Sequence, residues 1–142
     1  MAPRSCSVAN ALEVVGERWS LLALREVFFG NTRFDQIVAN TGASRDVLTV
    51  RLKKLVAAGL LEKHQYSEHP PRHEYHLTDT GRALHNVFLM LKEWGDDYVT
   101  QGPLPLVYQH SCGHVLEPRV VCAHCGEEAT AESLSRVGEP VH

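Results

Sequence analysis

Between Thr41 and Leu77 the chain reads as a helix with two defined ends, followed by two extended runs around paired prolines. Ser44 can cap the helix by accepting an orphan backbone N–H, and Gly59 can end it in a left-handed conformation. Val47, Leu48, Leu52, Leu55 and Val56 recur at helical spacing and predict one buried stripe. Asp46, Thr49, Val50, Lys53 and Lys54 project the other way, with Arg45 and Arg51 on the flanks. The runs Leu60–Tyr66 and His73–Leu77 predict a hairpin with Ser67-Glu68-His69-Pro70-Pro71-Arg72 at its tip. The two prolines are expected to stop further ladder pairing there. Upstream, Thr32-Arg33-Phe34-Asp35 has the spacing of a capping box and opens a short helix ending near Asn40. Helix, tight turn at Thr41-Gly42, helix and hairpin, in that order, describe a helix-turn-helix with a wing. A fold that is mainly α with a small β-hairpin is therefore predicted.

Several separated motifs also carry a family resemblance. Cys6-Ser-Val-Ala-Asn-Ala-Leu-Glu-Val-Val-Gly-Glu-Arg-Trp19, Ala43 to Leu55, Ala58-Gly-Leu-Leu-Glu62, Pro70-Pro71-Arg72, Glu74-Tyr75 and Leu77-Thr-Asp-Thr-Gly-Arg82 resemble the HxlR-type, MarR-like winged-helix transcriptional regulators. The resemblance covers roughly residues 6–98. It implies a homodimeric DNA-binding regulator without catalysis, with repression of an inverted-repeat operator as the expected activity.

Charge is compatible with that expectation only through its distribution. The formal net charge is −3, but residues 111–142 carry five acids against Arg119 and Arg136, leaving residues 1–110 neutral. Within them, 45–54 holds four cations against Asp46 alone. A local basic helix on a neutral body suits a salt-sensitive site rather than indiscriminate coating of DNA. Ser44, Arg45, Thr49 and Val50 are placed to meet base edges, with Arg45 as guanine reader; Arg51, Lys53, Lys54 and Arg72 are assigned to phosphates. Arg51 lies near the buried stripe, and buttressing the helix is its alternative role.

Elsewhere in this part, Val8–Val15 and about 18–29 predict two helices, the second apolar nearly all round. Trp19 fits a core position, with lining a small-molecule effector pocket as the alternative. Thr78 is expected to cap one long helix reaching about Val99, whose Leu84, Val87, Phe88, Leu91, Trp94 and Tyr98 form a seam for a second copy. A helix folded back on its own wing domain would carry the same stripe. His64, His69, His73, His76 and His85 have no ligand spacing and read as solvated or near phosphate. The chain thus divides into a DNA-binding and dimerisation domain, 1–101, and a Cys/His extension, 106–142, after the Gly102-Pro103-Leu104-Pro105 boundary. An apolar content of 44% supports a packed core, and no apolar run of membrane-spanning length occurs. No signal peptide is evident, and the expected location is the cytoplasm.

In the extension, Cys122-x-x-Cys125-Gly126 has zinc-knuckle spacing and Cys112-Gly113 echoes its second half. The set resembles a degenerate zinc ribbon, with Gln109 where the first cysteine of a full ribbon stands. Structural zinc is the expected cofactor, held by Cys112, Cys122, Cys125 and a histidine: His110 first, His114 second, and His124 less suited inside the knuckle. Free thiols are the competing reading. Thioredoxin-like chemistry is rejected because 37 residues after Pro105 hold too little sheet and helix, and deaminase chemistry because no H-x-E partner precedes the C-x-x-C. Cys6, just before helix one, resembles the redox-sensing cysteine of some HxlR-type regulators; burial at a dimer contact is the alternative. A purely protein-binding winged helix is the remaining alternative function.

Overall fold

The computed structural model describes residues 4–138. They form two compact units as bounded by packing, divided between His85 and Asn86.

The first unit contains α1 (Ser7–Val15), α2 (Arg18–Phe28), α3 (Phe34–Thr41), α4 (Arg45–Ala57), β1 (Leu61–Glu68), β2 (Pro71–Leu77) and α5 (Asp79–Ala83). Its core joins Ala23, Leu24 and Val27 of α2 to Ile37 of α3 and to Leu48, Leu52 and Leu55 of α4. The wing adds Leu60, Leu61 and Tyr75, while Trp19 lies half-buried against the cluster. The predicted stripe of α4 therefore points inward, and its other face is left outside.

Both ends of α4 form as the sequence predicts. Ser44 Oγ accepts the Val47 N–H at 3.2 Å. At the other end Gly59 has φ +82°, and the N–H groups of Gly59 and Leu60 donate to the carbonyls of Val56 and Leu55. This paired arrangement satisfies two orphan carbonyls and turns the chain into β1. Thr78, at the end of β2, donates its N–H to the Leu60 carbonyl, and its hydroxyl accepts the Gly81 N–H at 3.1 Å. The end of α4, the wing and α5 are thus tied at one point.

Three local expectations are corrected. The Thr32–Asp35 capping box does not form: Arg33 is the N-cap residue and supplies no side-chain cap. Its backbone is extended and bridges Glu74, while the Thr32 carbonyl accepts the Tyr75 N–H at 2.8 Å. Cross-chain pairing with the wing has taken the place of the local cap. The prolines do not stop the ladder either, because pairing continues to Glu68–Pro71 around a loop with a cis His69–Pro70 peptide. Tyr66 is instead the extra residue of a bulge between Gln65 and Ser67. Finally, the expected long helix is interrupted at Leu84, giving α5 and α6 (His85–Tyr98). Leu84 packs on the core of the first unit, so it does not belong to the exposed seam assigned to it.

In the second unit, Val87, Leu91, Trp94 and Tyr98 of α6 are each more than half exposed, and Phe88 is half-buried. Lys92 pairs with Asp96 at 2.6 Å and sits 6.0 Å from the Tyr108 ring centroid. Beyond them come two turns, closed by the bridges Gln109–Val115 and Val121–Glu128, then a 3-10 turn at Ala131–Ser133.

Candidate nucleic-acid interface

The outward face of α4 exposes Arg45, Thr49, Val50, Lys53 and Lys54. Thr49 Oγ1 donates to the Arg45 carbonyl at 2.8 Å, so this hydroxyl proton is engaged within the helix. The Ser44 hydroxyl is engaged as the cap. Beside this face stands the wing, and an open groove of about 410 Å3 separates the two. Arg45 and Thr49 line it from α4, Lys63, Tyr66, Arg72 and His73 from the wing, and Phe34 and Asp35 from α3. Arg72 is thereby brought to the same groove as Arg45, as a helix-and-wing reading requires.

Two side chains depart from simple exposure. Arg51 is half-buried, and its Nε lies 3.1 Å from Glu17 Oε2. The contact is an ion pair by distance, although the Nε–H is not aligned for a hydrogen bond. Glu17 also caps α2, accepting from the Ser20 N–H at 3.0 Å. Slight burial pushes the Glu17 carboxyl up; the N–H groups of Trp19 and Ser20, the Arg51 charge and the Ser20 hydroxyl outweigh this and hold it below 4.5. The pair thus links α4 to the start of α2. Arg45 is likewise occupied: Nη1 is 2.8 Å from Asp35 Oδ1, and the guanidinium stands 4.9 Å from the Phe34 ring centroid.

Sequence reasoning had used Asp35 only as a cap and had given Phe34, Arg33 and Tyr66 no part in the interface. Arg33 packs 4.6 Å from the Tyr66 ring centroid and pairs with Glu74 at 3.5 Å. The bulge turns Tyr66 toward this position. No local pattern announces these pairs, because their members come from different elements. On the wing, His64 and His76 meet ring to ring at 5.1 Å, each 3.1 Å from a glutamate on its own strand.

α3 is held at its angle by a buried carboxylate. Glu26 accepts from Asn31 Nδ2 at 2.8 Å, Asn40 Nδ2 at 2.9 Å and Arg25 Nε at 3.0 Å. With three donors around it, the buried charge is fully engaged. It fastens both ends of the segment that presents Phe34 and Asp35.

A helix pair with an exposed cationic second helix and a flanking wing is the arrangement shared by helix-turn-helix regulators, and the family profile described as HxlR-like helix-turn-helix matches residues 14–103. The chain belongs to the HxlR-like helix-turn-helix family. This HxlR-family chain is 48% identical over 131 residues to an uncharacterized HTH-type transcriptional regulator, Rv3095, of Mycobacterium tuberculosis, covering 91% of this chain and 83% of the relative. So long a match must run into the second unit. Among solved structures, PA1607, a candidate transcription factor, superposes with TM-score 0.79 at 34% identity over 96% of each chain. The redox regulator HypR in its oxidized form superposes with TM-score 0.62 at 31% identity, over 68% of this chain and all of that one. The HxlR-family chain is therefore a transcriptional regulator of the helix-turn-helix type. No helix among its described residues is long and apolar enough to cross a membrane.

The cysteines are all exposed. Cys6 is the N-cap residue of α1, in extended backbone and without a side-chain cap bond. In the second unit two turns close by similar backbone bonds, the second turn being one residue longer. His110 N–H donates to the His114 carbonyl and Gly113 N–H to the His110 carbonyl, as Cys122 donates to Glu127 and Gly126 to Cys122. The N–H groups of Cys125 and His124 and a side-chain bond from Cys125 hold the Cys122 thiol below the usual cysteine range. Cys112 Sγ lies 3.8 Å from His114 Nδ1. That is close to the ligand–ligand edge of about 3.6 Å which Zn–S and Zn–N bonds of about 2.3 and 2.0–2.1 Å give in a tetrahedron. Each turn thus offers a donor pair suited to zinc, yet among the described residues no three such side chains gather as a metal site.

Proposed function

We propose that the protein is a sequence-specific repressor that binds an inverted repeat in duplex DNA as a homodimer. The observation that carries the reading is the open cationic face of α4, with Arg45 and Arg72 on one groove. α4 enters the major groove by its N-terminal end; Arg45 reads a guanine edge with Ser44, Thr49 and Val50 beside it. Lys53, Lys54 and the wing's Arg72 hold phosphates. Two-fold symmetry sets the half-sites about 34–36 Å apart or a multiple of that, and the exposed α6 seam supplies the mate's contact. Selection of bound duplexes from a random pool tests this directly. Arg45→Ala should lose about 1–3 kcal/mol and relax base choice at one position, while Arg72→Ala weakens all sequences alike. Failure to enrich any palindromic sequence would refute the reading and leave a protein-binding winged helix.

Oxidation at Cys6 is the proposed signal. The likeness to a protein described as a redox regulator supports it, as does the exposure of Cys6 at the start of α1. Cys6→Ser should abolish oxidant-driven operator release; release unchanged in that variant would eliminate Cys6 as the sensor.

Zinc is the proposed occupant of the second unit, bound by Cys112, Cys122, Cys125 and either His110 or His114. The donor types in the two turns and the 3.8 Å approach of Cys112 Sγ to His114 Nδ1 support it. Bound there, zinc would be structural, cross-linking two turns that have little core of their own. Purified protein should contain about one zinc per chain, and a metal-free preparation that folds normally would end the proposal.

A further inference from the structure

Arg45 is the residue on which base reading depends, and its guanidinium is already engaged from one side by Asp35 and Phe34. Both members of the ion pair are largely exposed, 64% for the Arg45 side chain and 75% for Asp35. A pair so exposed does little for stability, so the fold itself does not account for it. In the groove between α4 and the wing, Asp35 is the one acid among the lining residues, facing Arg45, Lys63 and Arg72. A groove shaped only for affinity to polyanionic DNA would leave that position neutral or basic, since the carboxylate repels phosphate.

We propose that Asp35 is a specificity-determining positioning residue, which holds the Arg45 guanidinium against the Phe34 ring so that it meets a base edge and not the phosphate backbone. The inference rests on the DNA-binding reading above. Asp35 engages one of the five N–H donors of the guanidinium, at Nη1, and others remain for a base. The aromatic face under the cation restricts its swing. A freely rotating arginine at the first residue of α4 would reach phosphates on any sequence, raising non-specific binding without raising discrimination. Tethered, it gives up part of that general attraction and confines its free donors to one direction, where a wrong base leaves them unpaired. The tether sharpens choice at some cost in affinity.

The test uses the full-length protein and the duplex it enriches from a random pool, compared with a scrambled duplex of the same length. Wild type, Asp35→Asn, Arg45→Ala and the double variant are titrated against both duplexes across a range of salt. Asp35→Asn should bind the scrambled duplex about threefold or more tighter than wild type, with a salt slope steeper by about one. Its ratio of selected to scrambled affinity should fall about tenfold. Neither change should appear when Asp35→Asn is added to Arg45→Ala, which separates a role acting through Arg45 from a general charge effect. An unchanged ratio in Asp35→Asn, or the same change in the Arg45→Ala background, would overturn the assignment while leaving DNA binding intact. A wild-type protein that enriches no duplex would overturn the DNA-binding reading and the Asp35 assignment together. Equal thermal melting of wild type and Asp35→Asn is expected, because the pair is exposed.

Discussion

Single side chains tie α3 and α4 to α2 through two carboxylates of different character, Glu26 and Glu17. Glu26 is buried, and its three donors would be left without a partner on truncation. Glu26→Ala should therefore destabilise the protein by about 3 kcal/mol, read as a lower urea midpoint. Glu26→Gln, which keeps the shape but not the charge, should fall between. Glu17 is half-buried, and its pKa is lowered. Its unfolded value lies near 4.5, and the folded value is lower, so the unfolded state binds the proton more readily. The stability it contributes is present above about 4.5 and is lost as the pH falls through the folded value. Glu17→Gln should consequently lower stability at neutral pH and converge with wild type in acid, as followed by thermal melting at a series of pH values. An offset that persists unchanged into strong acid would show that packing, not charge, sets the effect.

At the level of elements, two glycines near the wing have different tasks. Gly59 has φ +82° with open space around it, so a side chain there meets only backbone strain. Gly81 has an ordinary backbone, but an added Cβ would come within 2.2 Å of the Leu60 carbonyl oxygen. Gly59→Ala should cost about 1 kcal/mol through the left-handed backbone. Gly81→Ala must displace the junction of β1 and α5 and should cost more, about 2 kcal/mol or above. Denaturant unfolding ranks the two, and a reversed order would contradict the close packing of α5 on the base of the wing. The same junction explains the interruption at Leu84: a residue needed in the first unit's core cannot also lie in the exposed seam that follows.

For the whole molecule, the seam of α6 is the clearest sign of a second copy. Val87, Leu91, Trp94 and Tyr98 recur every three or four residues and remain outside the fold of the single chain. Apolar residues aligned in this way favour a helix partner. The protein should sediment as a dimer at micromolar concentration, and Leu91→Asp should shift it toward monomer without unfolding the first unit. A wild-type monomer would remove the proposed two-fold operator geometry. Because residues 1–85 carry 11 cations against 9 acids, and Arg45, Lys63 and Arg72 line one groove, operator affinity should also fall steeply with salt.

Local spacing determined the helix ends at Ser44 and Gly59, the buried stripe of α4, the exposed seam of α6 and the order of helix, turn, helix and hairpin. These follow from 3.6-residue periodicity and from hydrogen bonds between close neighbours in the chain, which a sequence displays directly. Only the tertiary structure decided that Thr32 and Arg33 pair with the wing in place of a capping box, that Arg51 turns to Glu17, that Arg45 is held by Asp35, and that Glu26 gathers Arg25, Asn31 and Asn40. Most of these pairings join residues brought together by the folding of separate elements, and an ion pair between elements leaves no period in the sequence. For that reason the reading helix was legible early, whereas the side chains that aim it became visible only in the folded chain.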